Sequence, residues 1–461
     1  MTTKERRPDR RRIAELLERE LKIVADNTPA CRELYRRGLE SLPMGVASSY
    51  QARDPYPIYA REGAGSKIVT VDGKEMVDFH NAFGCMVQGH AHPVIVEAVH
   101  ERMKLGSQFA LPCEDSIIVA EHLARDFKLP KWRFVNSGSE ATMDAIRIAR
   151  GFTGRDTVLK IMGSYHGHHD YVMVSVMMYD EDLGPRDGYV SLPYGTGLPA
   201  CAVAMTVPVP YNDIAMMEAR IERLIDEGRT PACLIMEPVM MNLGVVLPEP
   251  GFLEAVRTLT KKHGIVLIFD EVKSGITTAA GGAVERFGVV PDMVTLAKAI
   301  SGGLPAGAVG GTDEIMSVIA PGKVYQVGTY NGNPLCMAAA RASLEKVMTP
   351  EAYAWLDHLN GRLMSGIDAV NAAHGLPYYT VGIRSKGCVT FSRTKITDYE
   401  SYIEHQDHEL CRLAWAYAFN RGVLIAGNRE AEWTLSIQHA DDDIDRYLAF
   451  YEELIRDVTA A

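Results

Sequence analysis

No two of the eight cysteines in this 461-residue chain stand at C-x-x-C spacing; they are scattered from Cys31 to Cys411. Neither a zinc ribbon nor a disulfide framework is indicated, and a reducing cytoplasm is the simplest setting. No apolar run is long enough to span a bilayer. Basic charge is also short: 48 Lys and Arg against 59 Asp and Glu leave a formal charge of −11. A nucleic-acid binder needs a basic face to neutralise phosphates, so that class is set aside. The opening "MTTKERRPDRRRIAELLERELKIV" lacks the apolar core of a secretory signal, and Glu5 and Asp9 count against a transit peptide. What remains is ordinary globular composition, 47% hydrophobic and 23% charged, over a length that suggests two or three lobes.

From about Arg10, the spacing of Ile13, Leu16, Leu17, Leu21 and Val24 predicts an amphipathic helix behind a flexible, solvated basic tip. Residues 58–79 alternate apolar and polar about "VDGK", which reads as a β-hairpin with Asp72 and Gly73 at its tip. From about residue 115 the texture changes. "RFVNSG", "TVLKIMGSY", "ACLIMEP", "IVLIFDEV", "MVTLAKA" and "AGAVGG" are apolar, strand-like and separated by helical stretches. That pattern means βαβ units and a mostly parallel sheet. After about residue 345 come longer helical stretches with "GCVTFSR" and "WTLSIQ" among them, a smaller α+β lobe. The chain is thus divided into an N-terminal arm over 1–70, a large domain over 71–345 and a small domain over 346–461.

In open α/β sheets ligands sit at the carboxyl ends of the strands. "VNSGSEATMDAIRIAR" sets Asn136, Ser137, Gly138 and Ser139 between a strand and an amphipathic helix. Free N–H groups at that helix start suit a phosphate; N-capping by Ser137 or Ser139 alone explains the same residues. "GSYHGHHD" carries Tyr165, His166, His168 and His169. The H-x-H-H spacing puts imidazoles on opposing faces of an extended loop, so no metal is expected there. Tyr165 can instead cover the face of a flat ligand. "MEPVMMN" ends a strand with Glu237 and Asn242. "LIFDEVKSG" ends one with Asp270 and Glu271, and a buried carboxylate is costly without a partner. Alternation points Asp270 and Val272 to one side and Glu271 and Lys273 to the other. "VTLAKAISGG" places Lys298 between Ala297 and Ala299. Burial would make it a nucleophilic amine; a snorkelling surface lysine is the plainer reading. One ligand needs all four features. Pyridoxal phosphate takes a helix N-terminus for its phosphate, an aromatic face for its ring, a carboxylate for its ring nitrogen and a lysine for its aldehyde.

These motifs resemble the class III, fold-type-I pyridoxal-phosphate aminotransferases, and in particular the glutamate-1-semialdehyde aminomutase group. The resemblance runs from about residue 40 to 455 and includes "NSGSEATMDAIRIARGFTGRD", "GSYHGHHD", "LIFDEVKSG", "PDMVTLAKAISGGLPAGAVGG" and "VYQVGTYNGNPLCMAAA". It implies a mostly parallel central sheet with flanking helices and a smaller C-terminal α+β domain. It implies that Lys298 is the Schiff-base lysine and proton shuttle, and that Asp270 partners the ring nitrogen. Tyr165 and Val272 would face the ring, and Ser137, Gly138 and Ser139 would cradle the phosphate. His166 would join the cofactor contacts, and Asn242 would reach the ring hydroxyl. Thr329 would serve the phosphate site of a neighbouring subunit, in a homodimer with shared active sites.

The pattern departs at the substrate pocket. Where the aminomutases carry an arginine for the substrate carboxylate, "GVASSYQARDPYP" has Gln51, with Tyr50 before it and Arg53 two further on. Gln cannot replace a bidentate guanidinium. Phe83 stands where the aminomutases have Trp, and Ile276, Thr277 and Thr278 stand where many relatives have an arginine. Tyr50, Gln51, Arg53 and Phe83 are the expected substrate contacts. The divergence favours a cytoplasmic ping-pong transaminase passing an amino group from an amine or a β- or ω-amino acid to an oxo acid. The alternative is the aminomutase itself. A member of the fold without cofactor, and decarboxylase or racemase chemistry, are the remaining readings.

Overall fold

The computed structural model describes residues 8–178, 181–427 and 430–460. The basic tip lies largely outside them. The chain forms two compact units, one of residues 1–92, 354–394 and 405–461, the other of 93–353 and 395–404.

The second unit is built on seven strands: β1 (Lys131–Val135), β2 (Val158–Ile161), β3 (Thr206–Val209), β4 (Cys233–Met236), β5 (Val266–Asp270), β6 (Met293–Leu296) and β7 (Gly307–Gly311). Their order is β1-β7-β6-β5-β4-β2-β3. The pairs from β6 to β3 are parallel, and β7 runs antiparallel to both its neighbours. Strands β2 to β7 are buried along their whole length, mostly apolar, as in a mainly parallel sheet covered on both faces. Helix α1 (Gly138–Thr153) buries Ala145, Ile148 and Ala149 against Val158, Cys233, Ile235 and Ile268. It stops at Gly154, whose φ of 68° is a left-handed cap. Strand β3, "TVPV", was not among the predicted segments. Pro208 cannot donate to a ladder, and β3 lies at the sheet edge, where one side needs no partner.

In the first unit the predicted N-terminal helix spans Arg10–Asn27 and buries Ile13, Leu16 and Val24, with Asp9 accepting the Arg11 N–H at its start. The predicted hairpin is Lys67–Thr70 paired with Glu75–Asp78. Its turn residue Asp72 accepts the Ala30 and Cys31 N–H groups at 2.6 and 3.1 Å. A three-stranded antiparallel sheet, Tyr379–Ile383, Lys386–Thr390 and Glu432–Thr434, comes from the C-terminal segment.

Candidate active site

The strand ends of the second unit converge on Asp270, the last residue of β5, which is 4% exposed. The register sets Asp270 opposite Thr295 of β6. Asp270 Oδ1 accepts the Thr295 hydroxyl at 2.9 Å and the Val272 N–H at 3.1 Å. Its Oδ2 lies 2.7 Å from His166 Nδ1, and His166 Nε2 lies 2.9 Å from Ser164 Oγ. A carboxylate buried this deeply is tolerated only where such donors surround it.

Beside it is the start of α1. Ser137 caps the helix by accepting the Glu140 N–H at 3.2 Å, and Glu140 accepts the Asn136 N–H at 2.6 Å. The Glu140 side chain thus reaches back past the cap residue to its predecessor, and the Asn136–Glu140 segment is held at both ends. The capping alternative for Ser137 is therefore realised, while its own hydroxyl proton stays available to a ligand. Gly138 is pressed against the β5 end: a Cβ there would meet Val272 Cγ1 at 2.9 Å and Ala297 Cβ at 3.6 Å. Ser139 Oγ accepts the His168 N–H at 3.2 Å, and a Cβ on Gly167 would lie 2.5 Å from that oxygen. Thr142 donates to the His166 carbonyl at 2.6 Å. The loop carrying Tyr165 and His166, the helix start and the Asp270–Val272 turn are thus one cluster.

Lys298 follows β6 and opens the short helical turn Lys298–Ser301. It is partly exposed while Ala297, Ala299 and Ile300 are buried. Its φ of 47° is left-handed. A non-glycine residue held there costs roughly 1–2 kcal/mol, and such strain concentrates at functional sites. The residues present fit pyridoxal phosphate: a helix start too tight for any side chain at Gly138, a buried carboxylate with fixed donors, and a lysine in the turn beyond the next strand.

The neighbours of Asp270 have other work. Glu271 is 1% exposed and accepts the Ala283 and Val284 N–H groups and the Ser274 hydroxyl. Burial raises its carboxyl to about 7. Lys273 is buried, and its Nζ donates to the Met241 carbonyl next to Asn242. His169 is pushed down to about 3 by burial. Thr329 is exposed, and its carbonyl accepts from Gln108 at 2.6 Å.

The expected substrate residues lie in the first unit. Tyr50 and Phe83 form an aromatic pair with centroids 5.9 Å apart. Phe83 ends a left-handed turn, with Asn81, Ala82 and Phe83 at φ of 45°, 50° and 58°. That turn is braced by Asp78, which accepts the His80 and Asn81 N–H groups, both at 2.9 Å, and meets His90 at 2.7 Å. Gln51 and Arg53 do not join the pair. Gln51 Oε1 accepts the Ser48 N–H at 3.1 Å, and the Arg53 guanidinium lies over Trp415, 4.3 Å from its centroid.

Sequence reasoning missed Thr295 and His166 as the hydrogen-bond partners of Asp270. "MVTLAKA" held Thr295 in plain view, but only the β5–β6 register puts it opposite Asp270.

A family model described as aminotransferase class-III matches residues 49–424. The chain is 37% identical to glutamate-1-semialdehyde 2,1-aminomutase 2 of Brevibacillus brevis over 91% of its length and 96% of that protein's. It is 39% identical to the glutamate-1-semialdehyde 2,1-aminomutase of Syntrophobacter fumaroxidans, covering 89% and 94%. The solved omega-transaminase of Sphaerobacter thermophilus superposes with a TM-score of 0.88 at 33% identity, covering 95% and 99%. The aminomutases, matched over nearly their full length at the higher identity, overturn the expectation of transamination between two molecules. That expectation leaned on a few pocket positions. Ile276, Thr277 and Thr278 prove to be buried in the helical turn Gly275–Thr278, so their identity reflects packing. Gln51 is spent locally, accepting the Ser48 N–H.

Proposed function

From the premise that this chain belongs to the class-III aminotransferase family, fold-type-I enzymes that work with pyridoxal phosphate, we propose that it is an aminomutase. It moves the amino group between adjacent carbons of glutamate-1-semialdehyde and yields 5-aminolevulinate. The observation that carries this reading is the likeness to aminomutases at 37–39% identity along about nine-tenths of the chain. When bound, pyridoxal phosphate supplies the electron sink for carbanion chemistry.

The residues take the following parts in this reading. Lys298 Nζ would hold the cofactor aldehyde and, as a neutral amine, would take up and return a proton at the substrate carbon. The Asp270 carboxylate, steadied by His166 and Thr295, faces the ring nitrogen. Tyr165 and Val272 take opposite faces of the ring. Ser137, Gly138 and Ser139 hold the phosphate at the positive end of α1. Asn242 reaches the ring hydroxyl. Tyr50, Gln51, Arg53 and Phe83 are the residues proposed to meet the substrate. The test is incubation of the holoenzyme with glutamate-1-semialdehyde and no added amino donor or oxo acid. 5-Aminolevulinate should appear as the semialdehyde disappears. Turnover only after a second oxo acid is supplied would refute the reading.

A homodimer is part of the same proposal. Met103, Leu105, Phe109, Leu111, Tyr325, Val327 and Tyr330 are all exposed. The Gln108–Thr329 hydrogen bond ties their two segments together. An apolar patch of this kind marks an interaction site, and a second copy would bring Thr329 to the neighbouring phosphate. A cytoplasmic setting accords with eight free thiols. Among the described residues no helix is long and apolar enough to cross a membrane.

A further inference from the structure

Strand β2 carries a lysine inside a sheet covered on both faces. Lys160 is fully buried, and its Nζ donates to the carbonyls of Ser164 at 2.9 Å, Ile161 at 3.2 Å and Ser175 at 3.3 Å. Glu237, just past β4, is also buried. Its Oε1 accepts the Tyr165 N–H at 3.0 Å and its Oε2 the Met241 N–H at 2.9 Å. The Ser164 carbonyl and the Tyr165 N–H are the two poles of one peptide group. A buried amine holds its oxygen and a buried carboxylate holds its nitrogen, so the two side chains are joined through the peptide between them.

This geometry fixes a plane. Rotating the Ser164–Tyr165 peptide would strip partners from both buried groups together, and each lost partner carries the full desolvation cost. Ser164 is held further through its hydroxyl, which donates to the Ile161 carbonyl at 2.6 Å and lies 2.9 Å from His166 Nε2. The two residues that follow the clamped carbonyl are Tyr165 and His166. We infer that Lys160 and Glu237 are positioning residues, which set the aim of the Tyr165 ring and the seat of the His166 imidazole against Asp270. The inference rests on the cofactor roles given above for Tyr165 and Asp270. Burial draws the Lys160 amine down to about 7, with Glu237 opposing. Either form keeps at least two N–H donors, so the clamp on Ser164 does not depend on full charge.

The test uses holoenzyme carrying Lys160→Met or Glu237→Gln. Both variants should keep the cofactor, while its visible circular dichroism per unit of absorbance falls by roughly half or more. The kcat should fall about 10–100-fold with KM little changed, as expected for a small misplacement of reacting groups. If Lys160→Met does not fold, Glu237→Gln decides alone, since it keeps the shape and one acceptor oxygen. Wild-type dichroism and kcat, with only a lower thermal midpoint, would overturn the inference and leave a purely structural clamp. A wild-type chain that takes up no cofactor is a separate result, and it would overturn the cofactor reading along with the clamp.

Discussion

Two lysines near the Asp270 cluster differ in what holds them. Lys273 is buried and its ammonium donates to the Met241 carbonyl. Lys298 is partly exposed, in a left-handed turn directly after β6. A nucleophilic amine needs access to its target, which a buried lysine donating to a buried carbonyl lacks. Lys298→Ala should therefore abolish covalent retention of the cofactor, read as loss of the added mass after borohydride reduction. Lys273→Ala should keep the adduct. It should also lower unfolding stability by about 1–3 kcal/mol, because the Met241 carbonyl loses a buried donor. An adduct that survives Lys298→Ala and vanishes in Lys273→Ala would exchange the two roles.

The turn after β5 shows how one carboxylate can serve an element. Glu271 accepts the Ala283 and Val284 N–H groups, the first turn of the helix Gly282–Phe287, and leaves no room for a side chain at Gly282. Burial nonetheless raises its carboxyl from 4.5 to about 7. Between those values the folded chain keeps a proton that the unfolded chain has released. Stability from this group is therefore present below pH 4.5 and lost as pH rises to 7. Glu271→Gln fixes the uncharged form. The stability of wild type minus variant should drop by about 2–3 kcal/mol between pH 4.5 and pH 8, measured by denaturant unfolding at both values; a flat difference would remove the group from the pH balance. Much at this scale was legible in the sequence. Six apolar segments became six strands, and Asp270 and Lys298 stood out because charged residues rarely end buried runs. Strand β3 was hidden because Pro208 breaks the usual strand pattern. The His166–Asp270–Thr295 contacts and the Lys160–Glu237 clamp were hidden because they depend on which strands become neighbours, a property no single segment carries. The joining of residues 1–92 with the C-terminal segments into one unit was hidden for the same reason.

The patch that holds Leu105 and Val327 bears on the chain's assembly. Leu105 is 70% exposed and Val327 78%, far more than an isolated folded unit usually leaves to water at neighbouring apolar sites. Covering a side chain of this size gains roughly 1.5–3 kcal/mol. Several of them on each copy would offset the cost of association, which one or two would not. A charge placed in the patch would then have to be desolvated on both copies. Leu105→Glu combined with Val327→Glu should convert the proposed dimer to a single-chain species in sedimentation velocity, with the far-ultraviolet circular dichroism unchanged. Cofactor retention should weaken in the same sample, since Thr329 of each chain would no longer reach the other's phosphate. Thr329→Ala separates the two effects. It should leave the dimer intact and raise the cofactor Kd about five-fold, the worth of one hydrogen bond of about 1 kcal/mol. A double Glu variant that stays dimeric would move the interface elsewhere. A Thr329→Ala variant with unchanged Kd would confine the shared site to apolar contact alone.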